Sequence, residues 1–170
     1  MPQEETKRAL IVVRTYRVPD ALGIESSCTA AITDSGEWLR LFPVPWRLLN
    51  KDQRFRKYEW VRVSITKAVE DSRPESYRLR PDGVQILSEP LSTANAWKAR
   101  KDLVLPVMAH CLCCLTKQRD AQQYPTLGIF RPESIIRLRI SPAYPNSGAT
   151  SMSQIADCHI DNASQSALLF

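Results

Sequence analysis

Residues 47–62 put six basic side chains (Arg47, Lys51, Arg54, Arg56, Lys57, Arg62) against two acidic ones, Asp52 and Glu59, a local charge of +4. Phe55, Tyr58 and Trp60 are interleaved among them. Arginine and lysine neutralise phosphates, and an exposed ring offers a π face to an unpaired base, the combination that single-strand nucleic-acid binders use. The competing reading places the rings in the core and leaves the charges solvated. Arg40, Arg78, Arg80, Arg137 and Arg139, all at candidate outward strand positions, favour a functional basic face.

Other chemistries have less to work with. His110-Cys111-Leu112-Cys113-Cys114 is the densest cluster of metal-ligand types, and on a helix His110 and Cys114 would share a face, as would Cys111 and Cys114. A zinc site needs three or four ligands, and only Cys28, Cys158 and His159 could complete one from afar. The expectation is therefore a buried helix with small sulfur-bearing side chains and no metal. Cys28 has Glu25 three residues before it but no nearby imidazole to hold a thiolate, which reads as a buried strand cysteine. Asp71 and Glu75 could serve a metal-dependent nuclease, yet Arg73 between them points to a surface ion-pair network. The five glycines never fall within ten residues of each other, so no Gly-rich phosphate cradle can be built. With His110 and His159 the only imidazoles, acid–base catalysis through histidine has a thin basis.

The frame that must position these residues is an ordinary globular one. The chain has 170 residues, 44% hydrophobic, with net charge +5, enough to bury a core without disulfide staples. Its acidic start and five-residue apolar run, 9–13, do not make a signal peptide. The longest charge-free apolar stretch, 103–116, is 14 residues, short of the ~20 that cross a bilayer. A cytoplasmic protein with reduced cysteines, and no membrane partner, is expected.

Residues 9–16 read as a buried first strand. Residues 28–32 and 38–42 flank Asp34-Ser35-Gly36 and read as a hairpin, with Gly36 supplying the left-handed turn position and Pro43 and Pro45 ending the second strand. Residues 58–69 alternate, placing Val61, Val63 and Ile65 on one face. Shorter strands are expected at 83–87 and 135–140. A helix is expected over 94–103, opened by Ser92-Thr93. A second is expected over 106–119, with Val104, Met108, Cys111 and Leu115 toward the sheet. The order predicts an α+β domain over 1–140: a β-rich curved antiparallel or mixed sheet, or a small partly open barrel, packed with two helices. Residues 141–170 carry six serines, two aspartates and no basic residue, so the first 140 carry +7 and the remainder reads as a poorly ordered tail. The near-copies Arg73-Pro-Glu-Ser and Arg131-Pro-Glu-Ser are two short loop-to-strand entries, too few for a repeat array.

At Glu25-Ser-Ser-Cys-Thr-Ala-Ala, Gly36-Glu-Trp-Leu-Arg-Leu-Phe-Pro-Val-Pro-Trp-Arg and Gln53-Arg-Phe-Arg-Lys-Tyr-Glu-Trp, the chain resembles a family of bacterial proteins of unknown function. That family shares a strand ending in Thr-Tyr, a Cys-Thr-Ala hairpin and a Trp-Ile-Arg-Leu-Tyr-Pro stretch. The resemblance covers roughly residues 8–140, including Asp71-Ser-Arg-Pro-Glu-Ser and Leu127-Gly-Ile-Phe-Arg-Pro. Such proteins continue into a segment with Cys, His and acidic residues where this chain turns Ser-rich, a departure that argues against a catalytic role. The expected function is non-catalytic nucleic-acid binding without a cofactor, through Arg47, Lys51, Arg54, Phe55, Arg56, Lys57, Tyr58, Trp60 and Arg62. The alternatives are a subunit or shortened relative of a nucleic-acid-processing enzyme, and a protein-interaction module whose Trp38, Trp46 and Trp60 form an apolar patch for a protein partner.

Overall fold

The uninterrupted apolar run near the N-terminus is buried on both sides of one strand. In β1 (Glu4–Arg14), Ala9 and Ile11 belong to one core and Leu10 and Val12 to another. The computed structural model describes residues 3–15, 18–19, 25–121, 126–134 and 136–137. Every element below lies in the unit Met1–Arg131; the chain's other unit is Pro132–Phe170.

A short β2 (Val18–Pro19) pairs with β3 (Glu25–Thr33), which turns through residues 34–37 into β4 (Trp38–Val44). This is the expected hairpin. Gly36 sits at φ 84°, where a side chain would be strained, and its N–H donates to the Thr33 carbonyl at 3.0 Å. Pro43 does not end β4: the register between β3 and β4 slips opposite Cys28, so the residue without an N–H falls at an irregularity of the ladder. β5 (Trp60–Lys67) keeps its alternation, with Val61, Val63 and Ile65 fully buried.

β6 (Ser76–Ile86) is one long strand, not only the short one expected near Gly83. Between the pairs Val63–Val84 and Ile65–Leu79 it carries extra residues, and Pro81 and Gly83 fall in that bulge. A Cβ on Gly83 would stand 2.4 Å from Ser64 Cβ and 2.7 Å from its Oγ. Gly83→Ala is therefore expected to cost about 1–3 kcal/mol in urea denaturation through overpacking. Adding Ser64→Gly should recover most of it. An unchanged midpoint in the single variant would show that the strands do not approach this closely.

β1 pairs antiparallel with β3 and β5, β3 with β4, and β5 with β6; β4 and β6 close the circle in parallel. The result is a closed five-stranded mixed barrel in an α+β fold, in keeping with the expected β-rich curved mixed sheet or small barrel, with full closure the added feature. Leu39, Leu41, Val44, Val61, Val63 and Ile65 fill it with the first-strand pair Ala9 and Ile11. The outward faces of β1 and β3, Leu10, Val12, Ala30 and Ile32, are covered instead by Leu91, Val104, Val107 and Leu127.

Helix α1 (Ala94–Val104) covers the expected stretch, with Ser92 Oγ accepting the Ala94 N–H at 3.0 Å, but Asn95, Ala96 and Trp97 stand at φ 53°, 52° and 67°, in the left-handed region, so the regular right-handed helix begins only after them. Helix α2 (Leu112–Asp120) starts six residues later than the apolar spacing suggested. Pro106 sits in a 3-10 turn, Leu105–Val107, and Met108 and Ala109 then join residue Ile129 instead of a helix. Met108 is consequently exposed, and of the three cysteines expected to be buried in a helix, Cys113 is exposed, Cys111 and Cys114 are half-exposed and Cys111 lies before the first turn. No helix among the described residues is long and apolar enough to cross a membrane. Of the strand expected over 135–140, only residues 136 and 137 are described; neither is in a strand, and Ile136 is 95% exposed. The expectations for residues 141–170, Arg139, Cys158 and His159 lie outside the described residues.

Candidate functional site

The stretch that carried most of the expected function closes one end of the barrel. After β4 the chain makes two 3-10 turns, Trp46–Leu48 and Lys51–Gln53, and drives Leu49 and Phe55 into the barrel core. Phe55 is 0% exposed, with Trp46 edge-on at 5.3 Å between centroids, so its ring has no face for a base. Arg56 is exposed but paired: its N–H and Nε donate to buried Glu59 at 2.7 and 2.6 Å, and its Nη2 to exposed Glu89 at 2.8 Å. Tyr58 lies beneath Arg100 and edge-on to Trp97, and Trp60 lies beneath Arg8 at 4.2 Å while packing on the outer apolar cluster. Arg47, Lys51, Arg54, Lys57 and Arg62 are exposed along with Arg56. Arg54 Nε also donates to the Leu49 carbonyl at 3.1 Å, and Arg62 to Gln85 at 2.8 Å. The arginines of the other strands are similarly paired, Arg78 with Glu70 and Arg80 with Glu4 and Asp82. Trp38 packs on the outer cluster and Trp46 on the barrel core, so the three tryptophans do not form one patch.

A different constellation is built on the outer face of β4. Because Leu39 and Leu41 point into the barrel, Arg40 and Phe42 share the opposite face. Phe42 remains 42% exposed, and the Arg40 guanidinium lies 4.7 Å from its centroid. Arg40 is held there from the loop between β5 and β6. Its Nη1 donates to Asp71 Oδ2 at 3.0 Å and to Ser76 Oγ at 2.9 Å, and Ser76 stands beside Arg40 in the parallel β4–β6 pair. Asp71 also accepts from Arg73 Nε (2.8 Å), Nη2 (2.7 Å) and N–H (3.2 Å) and from Ser76 Oγ (2.6 Å). These donors, led by Arg73, hold the Asp71 carboxyl well below the usual carboxylate range despite its desolvation. The lysine at the end of β5, Lys67, ties the same loop by donating to the carbonyls of Arg73 and Pro74.

These side chains frame a cleft of about 340 Å³ lined by Arg40, Phe42, Ala68 and residues 70–73. Beside it in the chain, Glu75 is buried, and its Oε1 accepts the Thr126 N–H at 2.7 Å and hydroxyl at 2.5 Å. The Asp71–Arg73 ion pair that the residue types suggested is present and is joined by Arg40, but it is not a plain surface pair: Arg40 and Asp71 keep 13% and 17% of their side-chain exposure and Arg73 38%, while Glu75 accepts from Thr126 instead. With five donors on its two oxygens Asp71 is a poor cation ligand. No group of three or more His, Cys, Asp or Glu is placed to hold a metal among the described residues. The pairing of Arg40 with Phe42 was open to sequence reasoning, since the Leu39/Leu41 alternation puts them on one face. Their capture by Asp71, 31 residues away from Arg40, was not.

The model of a family described as a domain of unknown function (DUF8758) matches residues 5–106, more than half of the chain and nearly the whole barrel and plug. No curated protein and no solved structure matches the chain.

Proposed function

We propose, from the premise that this chain belongs to the DUF8758 family, that its barrel binds single-stranded nucleic acid without catalysis, on the Phe42 side of β4. Numbered in chain order without the short β2, the barrel strands run first, second, third, fifth, fourth around the circle, with the third and fifth parallel. That is the connectivity of the OB barrel, which takes oligonucleotides on the outer face of its second and third strands and on the loop between its fourth and fifth. Fold alone assigns no function. The observation that carries the proposal is that the exposed ring, Phe42, and the cleft beside it fall on the third strand and the fourth–fifth loop.

In this reading Phe42, 42% exposed, stacks a base on the face that Arg40 leaves open, the clamped guanidinium lying over its other face 4.7 Å from the centroid. Arg47, Lys51, Arg54 and Lys57, on the segment leaving β4, attract the phosphates. Phe55, Arg56, Tyr58 and Trp60 keep structural roles.

Fluorescence anisotropy with labelled single strands and duplex tests it. Phe42→Ala should weaken single-strand binding by about tenfold, the ~1.4 kcal/mol of one lost stack, with little effect on duplex. Lys51→Ala with Lys57→Ala should weaken all sequences alike and lower the salt slope by about two. If the parent binds no strand at low salt, or the Phe42 variant binds as well as the parent, the nucleic-acid reading fails. A protein partner for the exposed ring would then take its place.

A further inference from the structure

The turn before α2 brings two thiols together. Cys111 lies in extended backbone (φ −156°, ψ 163°) as the N-cap of α2, and Cys114 in the helix's first turn lies three residues on. Their sulfurs are 2.7 Å apart, about 0.7 Å longer than a disulfide bond. Cys111 Sγ also accepts the Cys114 N–H at 3.1 Å. Sulfur replaces the usual oxygen of a helix cap here, and a helix N-terminus with its unpaired N–H groups favours an anion at that atom.

We propose that Cys111 and Cys114 form a redox-active dithiol that exchanges with low-molecular-weight disulfides of the glutathione class. Cys111 is the attacking sulfur and Cys114 the resolving one. The Cys111 thiolate attacks one sulfur of the disulfide RSSR, forming a Cys111–SR bond as the S–S bond breaks and RS⁻ leaves. The Cys114 sulfur then attacks Cys111 Sγ, displacing the second RS⁻. The chain's two thiols are oxidised to one disulfide, RSSR is reduced to two RSH, and the two protons released by the cysteines pass to the two leaving thiolates.

The roles are unequal because the surroundings are. Hydrogen bonds from the Cys114 thiol and then its N–H, with further ones from Cys113, push the Cys111 thiol below its ordinary value, and the same pairing pushes Cys114 up. Access is open: α2 has no buried residue. Cys113 is exposed, and its sulfur is the competitor that any test must separate.

The experiment equilibrates the full chain in glutathione buffers of graded oxidised-to-reduced ratio, blocks remaining thiols by alkylation and maps the peptides by mass. A Cys111–Cys114 bond should appear with rising oxidised glutathione and vanish in excess dithiothreitol. Cys113→Ser should leave it intact. Cys114→Ser should trap glutathione on Cys111 as a stable mixed disulfide. The proposal is overturned if the parent shows no such bond at any ratio, if the bond joins Cys113 instead, or if the trapped glutathione sits on Cys113. The parent's own map decides the matter should a variant fail to fold.

Discussion

Replacing Phe55 by alanine should lower the unfolding free energy by about 3–5 kcal/mol, the range for truncating a fully buried aromatic ring. The ring is 0% exposed and plugs the barrel with Leu49, edge-on to Trp46, so its removal opens a cavity that the barrel strands cannot collapse into without breaking their ladders. Urea denaturation of the purified variant measures the loss. Phe55→Leu, which keeps most of the apolar volume, should lose much less. A Phe55→Ala cost below about 1 kcal/mol would mean that the ring is a surface group after all, as expected of an exposed residue.

Asp71→Asn should be nearly as damaging, by about 2–3 kcal/mol at neutral pH. That is below the 3–5 of a fully buried pair because Arg40 and Asp71 keep 13% and 17% of their side-chain exposure. The variant keeps the size of the side chain but leaves the Arg40 guanidinium without its anion; Arg73, 38% exposed, is better rescued by water. The same group shapes the pH dependence. Its folded pKa lies below the unfolded value near ~3.9, so its stabilisation is complete above that value and is lost as pH falls through it toward the folded pKa. The parent should therefore lose stability below about pH 4 more steeply than the Asn variant, and the two denaturation curves should converge in acid. Parallel curves across that range would show that Asp71 is not the group responsible. Because Asp71 also holds Arg40 against Phe42, the variant should lose single-strand affinity together with its stability.

What could be read from the chain alone was the part where local pattern and final fold agree. Period-two alternation identified β5, and the Gly36 turn between two apolar runs identified the β3–β4 hairpin, because strand facing repeats every second residue and a left-handed turn position admits few residue types. The β-rich α+β class followed from their order. Residues 46–59 have no such regularity: the chain runs through 3-10 turns and coil, so no period says which side chain points inward. Phe55, set in a string of exposed charges, therefore looked like a surface ring when it was a plug. Helical spacing likewise joined Val104 to Leu115 across Pro106, whereas the pairing of Met108 with Ile129 pulled that stretch out of the helix and left Cys111 as a cap. Barrel closure was beyond local pattern as well, since the β4–β6 and β1–β5 pairs join segments separated by 36 and more residues. The charges, rings and thiols were all visible in the order of residues; which of them face water, and which meet each other, was decided by long-range pairing, because contact between distant segments leaves no periodic trace in either one.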